Sequence, residues 1–168
     1  MDEAADLRPQ VLEALPRLRR FCQALTRAQH AGDDLCQATV ERVLSRAEQF
    51  IPGTRMDSWM YRIAQNMHID AARRQKTRGR EVDVDEAYGL SGEDGRAVVE
   101  GRSDLDRARS AMAALPQEQR LLLNLVVLDG MSYKDAAETL AIPIGTVMSR
   151  IARARRALDR AINGTPDL

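Results

Sequence analysis

Two cysteines, two phenylalanines and one tryptophan are all that these 168 residues hold of those types, and aromatics total 4%. Cys22 and Cys36 lie 14 residues apart with no Cys-x-x-Cys spacing. Together with His30 and His68 they match no compact zinc-ligand pattern, so the expectation is buried thiols, surface imidazoles and no metal. No apolar run approaches the roughly 20 residues of a membrane span, and no hydrophobic signal segment precedes the cysteines. The chain therefore reads as soluble and cytoplasmic, without membrane insertion. A Gly-rich phosphate loop, a Ser/His/Asp set with a local signature and an HExxH motif are all missing. No enzyme and no cofactor are expected. Scarce aromatics beside abundant Ala, Leu and Arg favour helices, because these residues lose little rotamer freedom there, and disfavour an all-β fold. The length suits one ordinary domain or two small ones.

Net charge is absent as well, with 25 basic and 25 acidic side chains, which taken alone argues against a nucleic-acid partner. The average conceals a pattern. Residues 1–80 carry +4, residues 81–106 carry −7 and residues 107–168 carry +3. The acidic stretch coincides with Gly79 to Ser103, which holds five of the ten glycines and no sustained apolar period, the composition of a flexible linker. The expected organisation is all-α: a helical bundle over 1–78, an acidic linker over 79–103 and a second helical domain over 104–168.

In the first block, Leu7, Val11, Leu15, Leu18, Cys22 and Leu25 recur at helical spacing, with Pro16 expected to kink or restart the helix. Gly32-Asp33-Asp34 suggests the capped start of a helix reaching about Glu48, with Cys36, Val40, Val43, Leu44 and Ala47 inward. After the turn-rich loop Phe50 to Met56, a helix from Asp57 is expected to carry Trp59, Met60, Ile63, Met67 and Ala71 inward and to end at Arg73-Arg74. The second block opens with Leu105, Ala108, Met112 and Leu115. It continues from Glu118 to Leu128 and stops at Asp129-Gly130, where glycine can take a left-handed cap. Ser132 and Asp135 fit a capping box for a short helix to Leu140. Ala141-Ile142-Pro143 is a tight connection, and a longer helix reaches about Ile162, the outline of a helix-turn-helix.

The last helix carries two unlike faces. Ile144, Val147, Ile151, Ala154, Leu158 and Ile162 form an apolar stripe; Thr146, Ser149, Arg150, Arg153, Arg156 and Arg160 lie opposite, with Arg155 at the flank. A cationic edge can hold DNA phosphates while small polar residues near the helix start reach base edges, although an Arg-rich helix face is often only solvated.

The runs Leu115-Pro-Gln-Glu-Gln-Arg120, Asp129-Gly-Met-Ser-Tyr-Lys-Asp-Ala-Ala137 and Ile142 through Arg155 resemble domain 4 of the bacterial sigma factors of the extracytoplasmic-function (ECF) type. Asp33-Asp-Leu-Cys-Gln37, Trp59-Met-Tyr-Arg-Ile-Ala-Gln-Asn66 and Asp70-Ala-Ala-Arg-Arg74 resemble domain 2 of the same family, in the right order. The loop Pro52 to Met56 is similar to the general-stress branch.

The resemblance implies an alternative sigma factor that binds core RNA polymerase, through the β′ coiled coil and the β subunit, and promoter DNA, and that answers to an anti-sigma factor. Asp34, Gln37, Glu41 and Arg42 would meet the β′ coiled coil. The loop from Phe50 to Met56 and Asn66 would capture a flipped base of the −10 element, with Arg62, Arg73 and Arg74 on the backbone. Trp59 reads as core packing, while Phe50 stays open between core and base contact. Thr146, Met148, Ser149, Ala152 and Arg153 would face the −35 bases, with Arg150, Arg155 and Arg156 divided between phosphate and structural roles.

Three departures from the family pattern stand out: Ala38 where a carboxylate is common, Met148 where a basic residue is common, and Ala141 in place of the turn glycine. Other readings are a sigma-mimicking adaptor that sequesters an anti-sigma protein without binding DNA, a plain helix-turn-helix repressor, which would not need the first block, and a nuclease, which lacks a paired-carboxylate or metal motif.

Overall fold

A computed structural model describes residues 6–78 and 103–164, and the expected acidic linker, apart from Ser103, lies outside the described residues. Helix α1 spans Arg8–Thr26, α2 spans Gln29–Ser45 and α3 spans Met56–Thr77, with a single 3-10 turn at Ala47–Gln49 between the last two. The three pack on one another around Leu18, Cys22, Val43, Met60 and Ala64, all fully or almost fully buried.

Several features of this block differ from the sequence expectation, among them that α3 continues past Arg73-Arg74 to Thr77. Helix α1 runs through Pro16 without a break. Its buried residues Ala14 and Leu18 flank the proline on the core side, so packing outweighs the roughly 3 kcal/mol that an interior proline costs. Helix α2 begins at Gln29, so Gly32 is interior rather than a capping site. There it permits close helix contact, since a Cβ on Gly32 would fall 2.6 Å from Gln23 Cα. Asp33 turns sideways instead of capping: it accepts from Arg19 Nε at 2.8 Å, from Arg19 Nη2 at 3.1 Å and from Gln23 Nε2 at 3.0 Å. The Arg19 hydrogen bond holds its carboxyl below the usual range. Finally, Leu44 and Ala71 face solvent rather than the core.

In the second block, α4 spans Asp104–Ala114, α5 Gln117–Leu123, α6 Tyr133–Leu140 and α7 Ile144–Asn163. Ser103 and Ser132 cap α4 and α6, accepting from the amides of Asp106 at 3.3 Å and Asp135 at 3.0 Å. Helix α5 passes into a π-helical turn over Asn124–Leu128, closed by the Asp129 amide on Asn124 O at 3.0 Å, and Gly130 takes the expected left-handed conformation. Helix α6, the turn at Ala141 and α7 form the expected helix-turn-helix. Leu105 and Ile144, expected inward, are exposed, because both stand on the first turns of their helices and reach past the packed layer.

The two helical blocks share a continuous apolar core. Helix α3 packs on α6 and α1 on α5. Gln117 Nε2 donates to the carbonyls of Ala24 and Leu25, and Gln65 Nε2 to Leu140 O at 3.3 Å. Asp129 accepts from Arg20 Nη2 at 2.9 Å and from the Tyr61 hydroxyl at 2.6 Å. Tyr61, fully buried and absent from the expected core, stacks on Phe21 with centroids 4.3 Å apart. Burial and the neighbouring Asp129 carboxylate push its phenol well above the usual range, so it stays a donor.

Candidate functional site

Three surfaces hold the candidate residues. On α2, Asp34, Gln37 and Glu41 are exposed and recur at three- and four-residue spacing, which places them on one strip. Gln37 Nε2 donates to Glu41 Oε1 at 3.2 Å, stiffening that strip. Leu44 continues it and is 42% exposed. Its apolar side chain on a polar face was missed by sequence reasoning, and its signal is its place three residues beyond Glu41. Arg42 is exposed at the edge, while Ala38 is half-buried.

The second surface is the loop from 50 to 56 and the outer face of α3. Phe50 is 9% exposed and meets Trp59 at a centroid distance of 5.2 Å. Its ring is thus a wall behind the loop rather than a side chain projecting into solvent, and Trp59 is half-buried beside it. The loop turns on itself: the Thr54 amide and hydroxyl both donate to Ile51 O, at 3.2 and 2.7 Å. Arg55 is then held by a two-pronged contact to Asp57, at 3.1 and 2.8 Å, and Arg17 approaches the same carboxylate at 3.5 Å. Burial of Asp57 works against its ionised form, but Arg55, the Ser58 amide and Arg17 prevail and keep its pKa below the usual range.

A cleft of about 400 Å³ opens here, lined by Ile51, Ser58, Trp59 and Arg62 from this block and by Asp135 and Glu138 from α6. From it, Arg62, Asn66, Ile69 and Arg73 run along one exposed face of α3, with Arg74 adjacent. Ile51 and Arg55 lie in the loop that the sequence assigned to base capture, whereas Ser58 is a cleft residue that the sequence did not single out. Only its position across from α6 reveals Ser58.

The third surface is α7. Val147, Ile151 and Ala154 are buried and fix the rotation of the helix. Consequently Met148, Ser149, Ala152, Arg153, Arg155 and Arg156 face outward, with Thr146 half-buried at the first turn. Met148 is 54% exposed, an apolar tip on the outer face. Ser149 Oγ donates to Thr146 O at 3.1 Å, and Arg156 Nε to Ala152 O at 3.4 Å, so both side chains lie against their own helix. Arg150 is different: it pairs with Glu118 of α5 at 3.0 Å and ties α7 to the bundle, a structural role. Ala141 has φ 54 and ψ 45. With Ile142 N donating to Ala137 O at 3.0 Å and Ala141 N to Glu138 O at 3.3 Å, it forms the left-handed stop usually made by glycine.

Cys22 and Cys36 are buried free thiols, and the described residues contain no group of three or more His, Cys, Asp or Glu side chains able to hold a metal ion. The contact with Cys36, and then burial, raise the Cys22 thiol well above its usual range.

Comparison with known proteins finds relatives of both helical blocks. The family model described as Sigma-70, region 4 matches residues 105–158, and that described as the Sigma2 domain of PhyR matches residues 11–65. The chain is 34% identical over 152 residues to the ECF RNA polymerase sigma factor EcfG of Rhodopseudomonas palustris (strain TIE-1), covering 90% of this chain and 82% of that one. It is also 34% identical over 128 residues to the ECF RNA polymerase sigma factor SigC of Mycobacterium tuberculosis (strain CDC 1551 / Oshkosh), covering 76% and 68%. Among solved structures, the sigma factor RpoE in complex with the anti-sigma factor NepR from Bartonella quintana superposes with a TM-score of 0.72 at 28% identity, over 96% of this chain and 99% of that chain.

Proposed function

The chain belongs to the extracytoplasmic-function sigma factors of bacterial RNA polymerase, and on that premise we propose how its surfaces divide the steps of initiation. It is an alternative sigma factor that binds core polymerase and promoter DNA and directs transcription initiation. RNA synthesis itself belongs to the polymerase. Residues 1–78 form domain 2 and residues 104–168 form domain 4, with the acidic segment 79–103 between them.

In domain 2, Asp34, Gln37, Glu41 and Arg42 dock on the β′ coiled coil, with Leu44 adding an apolar contact on the same strip. The cleft beside Phe50 receives the flipped −10 base. Phe50 supports its Trp59 wall from behind, Asn66 reads the strand as it leaves, and Arg62, Arg73 and Arg74 hold phosphates. In domain 4, Thr146, Met148, Ser149, Ala152 and Arg153 meet the −35 bases and Arg156 meets a phosphate. The chain acts in the cytoplasm, where its polymerase is, and no helix among the described residues is long and apolar enough to cross a membrane.

An anti-sigma factor is the expected inhibitory partner, supported by the likeness to a sigma factor solved with NepR. The general-stress branch is supported by the EcfG likeness and by the Pro52-to-Met56 loop.

The observation that carries this reading is the outward face of α7, where the candidate base contacts and arginines stand free of the core that Val147, Ile151 and Ala154 complete. The PhyR match over 11–65 favours, as second reading, an adaptor that captures an anti-sigma protein without DNA. Transcription in vitro by core polymerase on a genomic promoter pool separates the two. New start sites sharing −10 and −35 sequences are expected. Capture of an anti-sigma protein with no stimulated start, by active core enzyme, selects the adaptor.

A further inference from the structure

We infer that α7 reads thymine through an apolar strip: Ile144 and Met148 pack against the C5-methyl groups of thymines in the −35 element, beside the polar readers of the same helix. The inference deepens the sigma-factor reading of α7 and rests on it.

Ile144, Met148 and Ala152 follow one another at intervals of four residues, so they stand one above the other along a single line of the helix, and all three are exposed. Ile144 is 50% and Met148 54% exposed, which excludes a place in the core for either. The rotation of α7 is the cause. Val147 and Ile151 are buried, and each next residue stands about 100° further round, so Met148 and Ala152 emerge on the flank of the core. One more step brings Ser149 and Arg153. The outward face is thereby divided lengthwise into an apolar strip and a polar one.

The surroundings of the apolar strip decide what covers it. From Ile144 to Leu158 the helix holds four arginines and no acidic residue. Arg155 lies seven residues beyond Met148 and Arg156 four beyond Ala152, both exposed, so the strip ends among cations. Such a surface suits a polyanion that also offers isolated apolar points. The major groove of duplex DNA is one: phosphates line its edges, and on its floor the thymine methyl is the apolar group that base pairs present. A basic side chain at position 148 would seek guanine O6 and N7 instead, so methionine there changes the base that is read. Side chains four apart on a helix are about 6 Å apart at Cβ, and bases rise by about 3.4 Å along a strand. Ile144 and Met148 therefore reach thymines one or two base pairs apart.

The test uses holoenzyme assembled with the full chain, on promoters recovered from the genomic pool. Each −35 thymine, on either strand, is replaced in turn by deoxyuridine, which removes the methyl and leaves every hydrogen-bonding atom in place. At one or two positions the replacement should weaken binding about fourfold, the ratio that follows from returning one methyl to water. Ile144→Ala and Met148→Ala, at unchanged helical content, should weaken binding to the thymine fragment by a similar factor and abolish the difference between thymine and deoxyuridine at the matching position. Met148→Leu, which keeps an apolar tip, should preserve that difference, and Met148→Gln, of similar length, should lose it.

A difference that persists in both alanine variants belongs to the shape of the DNA and overturns the inference, as does a −35 element without a sensitive thymine on either strand. Equal losses on all fragments in the variants would place the strip on the polymerase and overturn it too. Holoenzyme that selects promoters while thymine and deoxyuridine stay equivalent removes this inference alone. Holoenzyme that selects none removes the sigma-factor reading, and this inference with it.

Discussion

Ala141 carries a backbone conformation that its side chain opposes. At φ 54 it closes α6 with both hydrogen bonds of a left-handed stop, yet an L-residue pays about 1 kcal/mol or more there that glycine avoids. Glycine loses more freedom on folding, which offsets part of the gain. Ala141→Gly should therefore stabilise the chain by about 0.5–1 kcal/mol in urea unfolding, with the slope unchanged, and a destabilised variant would show that the turn is not strained. Asp57 makes the opposite point, since its several partners hold its pKa below the usual carboxylate range. Its folded pKa is depressed, so its contribution is fully present above the ordinary value near about 4 and is lost as pH falls through the lower folded value. Asp57→Asn should cost about 1–2 kcal/mol at neutral pH, the figure discounted because Arg55 and Arg17 are partly solvated, and should flatten the loss of stability below about pH 4. Denaturation midpoints from pH 6 to 3 measure both effects, and parallel curves for the two proteins would count against this account.

The single helix is where sequence was most legible, and α7 shows why. Its rotation is set by Val147, Ile151 and Ala154, a period visible without coordinates, so the outward Ser149, Arg153 and Arg156 followed from the same pattern, whereas Met148 and Ala152 came from the family resemblance. The capping serine of α6 was equally legible, because a cap is made within four residues. Pro16, Gly32 and Leu44 were not: whether a helix survives a proline, needs a glycine or exposes a leucine is settled by the neighbouring helix, here through Gln23 and the α1–α2 contact. On α7 the outward face should divide by function. Ser149→Ala or Arg153→Ala should weaken holoenzyme binding by about 1–3 kcal/mol on the preferred −35 sequence and much less on a scrambled one. Arg156→Ala should weaken both alike and reduce the magnitude of the log-affinity against log-salt slope by about 0.9, the release expected per lost phosphate contact. Arg150 stands apart, since its Glu118 contact makes its loss a matter of stability. Equal losses on both sequences for Ser149→Ala and Arg153→Ala would remove α7 as the sequence reader.

At the scale of the whole molecule, composition and charge divided the chain into two basic blocks and an acidic segment, and gave no sign that the blocks would share a core. The docking depends on single polar side chains far apart in sequence, Arg20 and Tyr61 with Asp129 and Gln117 with the end of α1, none of which leaves a periodic trace. A shared core has a thermodynamic consequence. Leu115, Leu122, Leu125 and Leu140 belong to the same buried cluster as Leu18, Phe21 and Tyr61, so unfolding one block exposes apolar surface on the other, which couples the two transitions. Trp59, the single tryptophan, sits in domain 2 beside the cleft that α6 completes, and its emission reports that block, whereas far-ultraviolet circular dichroism sums the helices of both. The two signals should give coincident urea transitions with one midpoint. In Asp129→Asn the docking weakens, and the transitions should draw apart as the blocks begin to unfold separately. Fluorescence and dichroism curves that already separate in the unaltered chain would mean that the apolar contact between the blocks is too weak to join them, whatever Asp129 contributes.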